Sequence, residues 1–335
     1  MTAIHVAILS SRAPRTGILR ALGGSVLGSP SQTMQTTRPV FVTGATGFVG
    51  HAVLQRLCAE GHSVRCLVRR GSETDLRGLG AIARVEGDVL TRRGLEEDMA
   101  GCDAVIHLVG IIREHRATNV TFERVHTEGT RNVLEATKAA GIRRYVHMSA
   151  LGTRSGAVSR YHRTKWAAEE AVRASGLDWT IFRPSIIYGR GDGLVSMLAS
   201  MVRRMPAVPV IGSGRQRVQP VPVEHVAAGF AEALELPATI TQTYEVGGPQ
   251  AVTMEELLDL IGRVLGRRRV LKAHVPLGVM TLLARFLHAL PGFPVTPDQL
   301  LMLGEDSVCD PRPFYETFAL EPVPLTVGLE RMFAS

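Results

Sequence analysis

Short apolar runs, each closed by turn residues and followed by a stretch of helical periodicity, recur along the first half of the chain. Val40–Thr43 reads as a strand running straight into Gly44, Gly47 and Gly50, and the amphipathic run Ala52–Glu60 follows. His62–Arg70 predicts a second strand, Ala83–Asp88 a third, and Asp103–Gly110 a fourth, buried one. Thr121–Ala140 carries Phe122, Val125, Thr130, Val133 and Leu134 at helical spacing and leads to a fifth strand, Arg144–Ser149. A helix is expected from about Tyr161 to Gly176, and a sixth strand, Trp179–Arg183, closes at Pro184. Repeated β-α units of this length imply an α/β fold with a parallel sheet covered on both faces.

Beyond Pro184 the rhythm changes. Proline recurs at positions 206, 209, 220 and 222, and only Val223–Leu236 (helix), Gln242–Val246 (strand) and Met254–Leu265 (helix) stand out. Three parts are expected: an extension at 1–38, a nucleotide-binding domain at 39–185, and a substrate lobe at 186–335 interleaved with the main sheet.

The first strand, its glycines and the following helix form the layout that holds a dinucleotide pyrophosphate. Gly44 allows the tight turn, Gly47 lets the backbone approach the phosphates, and Gly50 lets helix pack on strand. The helix start then offers unpaired N–H groups and the positive end of its dipole. A Rossmann-type doubly wound parallel sheet with a smaller C-terminal substrate lobe follows. At the end of the second strand, where an acid would hold the ribose 2′-OH of NAD, stand Arg69 and Arg70. Basic residues there suit a 2′-phosphate and point to NADP(H). Asp88, closing the third strand, lies where the chain could pass the adenine.

Tyr161 and Lys165 stand one helical turn apart, so a phenol and an ammonium share a helix face. The ammonium is expected to favour the phenolate, lowering the phenol toward the working range of an acid–base catalyst, and to reach the ribose hydroxyls. Lysine occurs only at 138, 165 and 272 in this arginine-rich chain, which makes Lys165 informative. Ser149, at the end of the fifth strand, could donate to a substrate oxygen. His107, His126, His147 and His162 show no metal-ligand spacing and read as packing residues, so no metal is expected.

Composition changes this picture little. Of a net charge of +7, residues 1–38 supply +4 through Arg12, Arg15, Arg20 and Arg38 without any acid. The remaining arginines are scattered apart from 267–269, with no aromatic-interleaved basic stripe, so nucleic acid is not an expected partner. Cys58, Cys66, Cys102 and Cys309 form no paired motif, which suits a reducing compartment. The acid-free start reads either as a transit peptide, which would make the protein mitochondrial, or as residues upstream of a start at Met34. Otherwise a cytoplasmic location is expected, peripheral to the inner membrane if the 275–290 stretch meets lipid.

Together the glycine turn, Gly87-Asp88, Tyr161/Lys165 and Arg183–Gly189 resemble an extended or atypical short-chain dehydrogenase/reductase over about residues 39–265. Tyr161–Lys165, Pro184–Arg190, Gln219–Val226 and the apolar stretch near 275–290 are most similar to the family of the NADPH-binding accessory subunit of respiratory complex I. That resemblance implies tightly held NADP(H), structural rather than turned over in that subunit. Within such a fold, cofactor contacts are expected at Gly44, Thr46, Gly47, Phe48, Val49, Gly50, Arg69, Arg70, Asp88, Val89, Leu108, Val109, Gly110, Lys165, Pro184 and Ile187. Catalytic roles are expected of Tyr161, Lys165 and Ser149. Several positions depart from the extended pattern: His126 stands where asparagine is frequent, Met148–Ala150 stands where a longer serine/threonine cluster is frequent, and Val218 and His225 replace residues usual in nucleotide-sugar enzymes.

Three functions are open at this point. The chain is an oxidoreductase acting on a lipophilic carbonyl, alcohol or quinone-related substrate, a non-catalytic NADP(H)-binding subunit or redox sensor of a respiratory assembly, or, last in order, a nucleotide-sugar epimerase or dehydratase. The stretch 275–290 would form a helix of roughly 24 Å, too short to cross a bilayer. It is expected either to be buried on both sides by the lobe or to rest on a membrane surface or membrane-bound partner.

Overall fold

A computed structural model of the chain describes residues 38–71, 82–287 and 295–334. The expected extension therefore lies outside the described residues except for Arg38, as does the end of the apolar stretch from residue 288. Strand β1 (Val40–Thr43) is fully buried, as its four β-forming residues require, and α1 (Phe48–Ala59) follows it. That helix begins earlier than Ala52 because Gly47, in extended conformation, is itself the residue that caps it. There follow β2 (Val64–Val68), β3 (Ile82–Glu86), α2 (Leu95–Met99) and β4 (Ala104–His107). A π-helical turn, Glu123–Glu128, runs into α3 (Gly129–Ala139), then come β5 (Arg144–Met148), α4 (Arg160–Arg173) and β6 (Asp178–Pro184).

The second half contains β7 (Ile187–Tyr188), α5 (Leu194–Arg204), β8 (Val208–Ile211), β9 (Arg217–Val218), β10 (Val221–Pro222) and α6 (Val223–Glu235). These are followed by β11 (Gln242–Val246), β12 (Val252–Thr253), α7 (Met254–Val264), β13 (Lys272–Val275), α8 (Leu277–Leu287), α9 (Pro297–Leu303), α10 (Arg312–Thr317) and α11 (Leu325–Phe333). Seven strands build one parallel sheet in the order β11-β6-β5-β4-β1-β2-β3. The chain winds outward from β1 to one edge, then returns past it to the other. Between β1 and β4 the winding reverses, and loops there leave in opposite directions, opening a crevice at the carboxyl ends of the strands.

Val42, Leu54, Phe182 and Phe230 pack α1 and α6 on one face of the sheet; Phe41, Val105, Val133 and Ile181 pack α2, α3 and α4 on the other. A third core, around Val195, Leu198, Val210, Leu257 and Leu329, holds the lobe. β11 lies in the middle of the lobe sequence yet pairs with β6 along its whole length, so the lobe is anchored to the sheet edge. Among the described residues no helix is long and apolar enough to cross a membrane.

Candidate active site

Gly44 sits at φ +77°, and a β-carbon on it would come within 3.0 Å of the Leu108 and Val109 backbone. The first turn is thus pressed against the end of β4, where the Leu108 N–H donates to the Thr43 carbonyl at 3.1 Å. Gly47 is exposed at the head of α1, no side chain caps that helix, and its first turn holds no acid. An anion placed there would meet unpaired N–H groups and a positive dipole end, so these residues fit a dinucleotide pyrophosphate. Gly50 is needed for a different reason: a β-carbon there would fall 2.2 Å from the Gly44 carbonyl oxygen. Gly50→Ala must move backbone, so we expect a stability loss of about 1–3 kcal/mol and weaker dinucleotide binding. Thermal melts with and without NADPH check both.

The other expected cofactor residues line the same edge. Arg69 and Arg70 directly follow β2 and, with Glu86, Gly87 and Asp88, line an open cleft of about 530 Å³. The Gly87 N–H donates to the Val68 carbonyl at 3.0 Å, and Asp88 accepts from the Leu90 N–H at 2.9 Å, which fixes the cleft floor. Arg70 lies 3.8 Å from Glu86 with both side chains largely in water, so that pair contributes little. Val89 packs under Gly129, and Pro184 accepts from the Leu151 N–H at 2.9 Å. Phe48 reaches across to Gly189, just past Ile187, while Thr46 and Val49 belong to the turn and first helical residues.

Lys165 is 2% exposed, and its ammonium donates to the Met148 carbonyl at 3.0 Å. A β-carbon on Gly110 would stand 3.0 Å from the same nitrogen. The ammonium is therefore held between the ends of β4 and β5. Burial lowers Lys165 to about 8, and Glu169, one turn further along α4, works against that. Ser149, next to the Met148 carbonyl, is buried and donates to Thr153 Oγ1 at 3.4 Å.

Tyr161 shares the helix face with Lys165, but its titration corrects the expectation. Burial pushes the phenol up to about 12 rather than down. The desolvation penalty on the phenolate outweighs any help from an ammonium that is itself buried and bonded to a carbonyl. The ring lies edge-on to His126 at 5.2 Å and to Phe122 at 5.8 Å.

His126 is more than packing. It lies in the π-helical turn, a distortion frequent at functional sites. Its Nδ1 is 2.9 Å from Thr164 Oγ1, whose own hydrogen is directed to the carbonyls of Arg160 and Tyr161. Its Nε2 lies 3.1 Å from both the backbone nitrogen and the carbonyl oxygen of Ile111. Burial and Lys165 hold this imidazole well below its ordinary range, so it is neutral. A neutral histidine thus ties the loop after Gly110 to the helix of Tyr161 and Lys165.

Glu169, fully buried, bridges Arg183 at 2.8 and 2.6 Å and Arg173 at 2.5 Å, locking α4 to β6. His107 bonds Thr43 at 2.7 Å and stacks on His147 at 5.4 Å as part of the core. Among the described residues, no group of three or more histidines, cysteines or acids could hold a metal.

Comparison with known proteins follows the same lines. The NAD(P)H-binding family matches residues 44–205, and the RmlD substrate binding domain family matches 153–273. The subunit 9 of the NADH dehydrogenase [ubiquinone] 1 alpha subcomplex, mitochondrial, from Rattus norvegicus is 30% identical over 292 residues, 85% of this chain and 76% of that one. The same subunit from Arabidopsis thaliana is 33% identical over 228 residues, 66% of this chain. Ceramide reductase from Caulobacter vibrioides is 37% identical over 189 residues, 56% of this chain. The alignments span 56% and 58% of these last two relatives, a little over half their length. UDP-glucose 4-epimerase from Thermotoga maritima superposes with a TM-score of 0.70 at 19% identity, covering 88% of this chain and 97% of that one, a likeness of fold alone. On the extent of its identity to the rat subunit, and with the nucleotide-binding edge in place, the chain belongs to the NAD(P)-binding, extended short-chain dehydrogenase/reductase-like family.

Proposed function

We propose that the protein is an NADP(H)-linked oxidoreductase acting on a lipophilic carbonyl or alcohol, or a quinone-related substrate. The observation that carries this reading is the placement of Lys165 between the strand ends, beside Ser149 and one turn from Tyr161, on the edge that bears the glycine turn. The α1 N-terminus would hold the pyrophosphate, Asp88 and Val89 the adenine side, and Leu108–Gly110 with Lys165 the ribose. Pro184 and Ile187 would flank the nicotinamide, which supplies or accepts the hydride when bound. In the reducing direction, Ser149 would hold the substrate oxygen and the Tyr161 hydroxyl would give that oxygen its proton. A phenol raised to about 12 is in its proton-donating form at neutral pH.

Arg69 and Arg70 in the cleft favour NADP(H) over NAD(H). One charge-assisted contact to a 2′-phosphate is worth about 1.5–3 kcal/mol, a preference of roughly ten- to hundredfold. Titration of the wild type should show that preference, and Arg69→Ala should narrow it. Equal or tighter NADH binding by the wild type would overturn the assignment.

Exposed apolar residues on the loops after β4 and before α4 support the substrate class. Ile112 is 61% exposed and Val158 57% exposed, and the ceramide reductase relative is named for a lipid substrate. A second reading, a non-catalytic NADP(H)-binding subunit of a respiratory complex, with the mitochondrial location that this implies, is favoured by the relatives named as complex I subunits.

α8 bears on both. Of the two expectations for this stretch, burial on both sides is overturned, since Leu277, Val279, Leu282, Leu283 and Phe286 are all exposed, Phe286 to 71%. Arg285 lies on α8 itself and Arg267–Arg269 lie upstream, exposed. We propose an anionic membrane surface as the partner of this face, with each nearby cation contributing about 1 kcal/mol. Anionic liposomes should carry the protein upward in flotation at low salt and release it at high salt. Protein that stays wholly in the soluble fraction at low salt removes direct lipid binding.

A further inference from the structure

α4 has no acid in its first turn, so its opening amides need acceptors from elsewhere. Ser159 Oγ accepts from the His162 N–H at 3.1 Å, the third helical residue. The two amides before it are taken by one carboxylate: Asp298 Oδ1 accepts from the Arg160 N–H at 2.7 Å, and Oδ2 from the Tyr161 N–H at 3.1 Å. Asp298 stands 137 residues further along the chain. It is mounted rigidly, since Thr296 and Gln299 form reciprocal bonds at the start of α9 (3.2 and 2.8 Å) and Leu300 is buried.

Beyond α9 the same segment stays attached to the site's surroundings. Glu305 pairs with Arg154 at 2.6 Å in the loop between β5 and α4, and the Ser185 hydroxyl donates to the Ser307 carbonyl at 3.0 Å. Arg160 meanwhile points its guanidinium at Glu114, 2.9 Å away on the loop after β4. The main chain of Tyr161 is therefore fixed by a group remote in sequence, on a segment that also holds the loop after Ser149.

We propose that Asp298 is a positioning residue for Tyr161: its carboxylate sets where the phenol stands relative to the ends of β4 and β5. The role rests on the reading of Tyr161 as the proton-transferring group. Ser159 provides the built-in comparison, because it caps the same helix without touching the Tyr161 amide. A general loss of helix stability would follow from either substitution, whereas displacement of the phenol would follow only from loss of Asp298.

The test uses the full chain loaded with NADPH and 3-fluorotyrosine in place of tyrosine, with the residue-161 line assigned by its absence in Tyr161→Phe. In Asp298→Ala, the fluorine line of residue 161 should shift or broaden, its titration should move toward the ordinary phenol range, and exchange of the Tyr161 amide should speed by about tenfold. Asp298→Asn keeps one acceptor oxygen and should restore part of each change. Ser159→Ala should leave the line and its titration where they are in the wild type. An unchanged line and amide in Asp298→Ala, or the same change in Ser159→Ala, would overturn the proposal. Failure to find a turned-over substrate would count against the oxidoreductase reading but would not alter these spectroscopic outcomes.

Discussion

Tyr161→Phe is expected to cut turnover by about 10²–10⁴-fold while NADPH remains bound. That range is what a positioned proton donor contributes, and the substitution removes only the phenolic oxygen. The ring's contacts with His126 and Phe122 survive, so stability should change little. Nothing that would hold the dinucleotide is lost, because Lys165, the glycine turn and the Arg69–Asp88 cleft are untouched. Loss of NADPH absorbance during incubation with a lipophilic ketone, followed in parallel with NADPH affinity, separates the two effects. Full turnover in the variant would remove Tyr161 from the chemistry. A wild-type protein that turns over nothing leaves the structural-cofactor reading standing.

Lys165→Ala should damage both binding and turnover. It removes a buried ammonium, leaves the Met148 carbonyl without its donor and opens space against Gly110. Loss of one charge-assisted contact to ribose corresponds to roughly ten- to hundredfold weaker NADPH binding, and Lys165→Arg should not restore it because the planar guanidinium does not fit a site built around Nζ. The pH dependence has two opposite signs. Lys165 falls from 10.5 to about 8 in the folded chain. Between those values the unfolded chain carries the extra proton, so this residue's contribution to stability rises with pH across that window. NADPH binding needs the charged ammonium, so affinity should decline as pH rises through about 8, with proton uptake on binding above it. Calorimetry in two buffers of different ionisation enthalpy, for wild type and Lys165→Ala, checks this; identical proton uptake in both would exclude Lys165 as its source.

Where a feature depends on neighbours in sequence, it could be read directly. The strand ending in Gly44–Gly50, the alternation of strand and helix up to Pro184, and the pairing of Tyr161 with Lys165 are all local patterns. The start of α1 is hidden in the sequence because the turn carries no side-chain cap and a glycine itself opens the helix. Features that depend on tertiary approach were not legible. Asp298 reaches α4 from 137 residues away, and His126 gains its role by bonding Thr164 and Ile111 rather than from any motif. The direction of the Tyr161 shift is not legible in sequence, because adjacency to a lysine is visible there, whereas burial of both groups is not. The apolar run that became α8 could not be sorted into buried or exposed, since its composition suits either. Arg183 and Arg173 converging on Glu169 also had no signal beyond the residues' charge.

The most direct test is to identify the nucleotide that the protein holds. Purified wild-type chain is incubated with an equimolar mixture of NADPH and NADH, desalted, denatured, and the released small molecules are weighed by mass spectrometry. The expected result is NADP(H) in clear excess over NAD(H), with the excess reduced in Arg69→Ala. Recovery of NAD(H) in equal or greater amount, or of no dinucleotide at all, would contradict an NADP(H)-binding edge built from the glycine turn, Arg69 and Lys165.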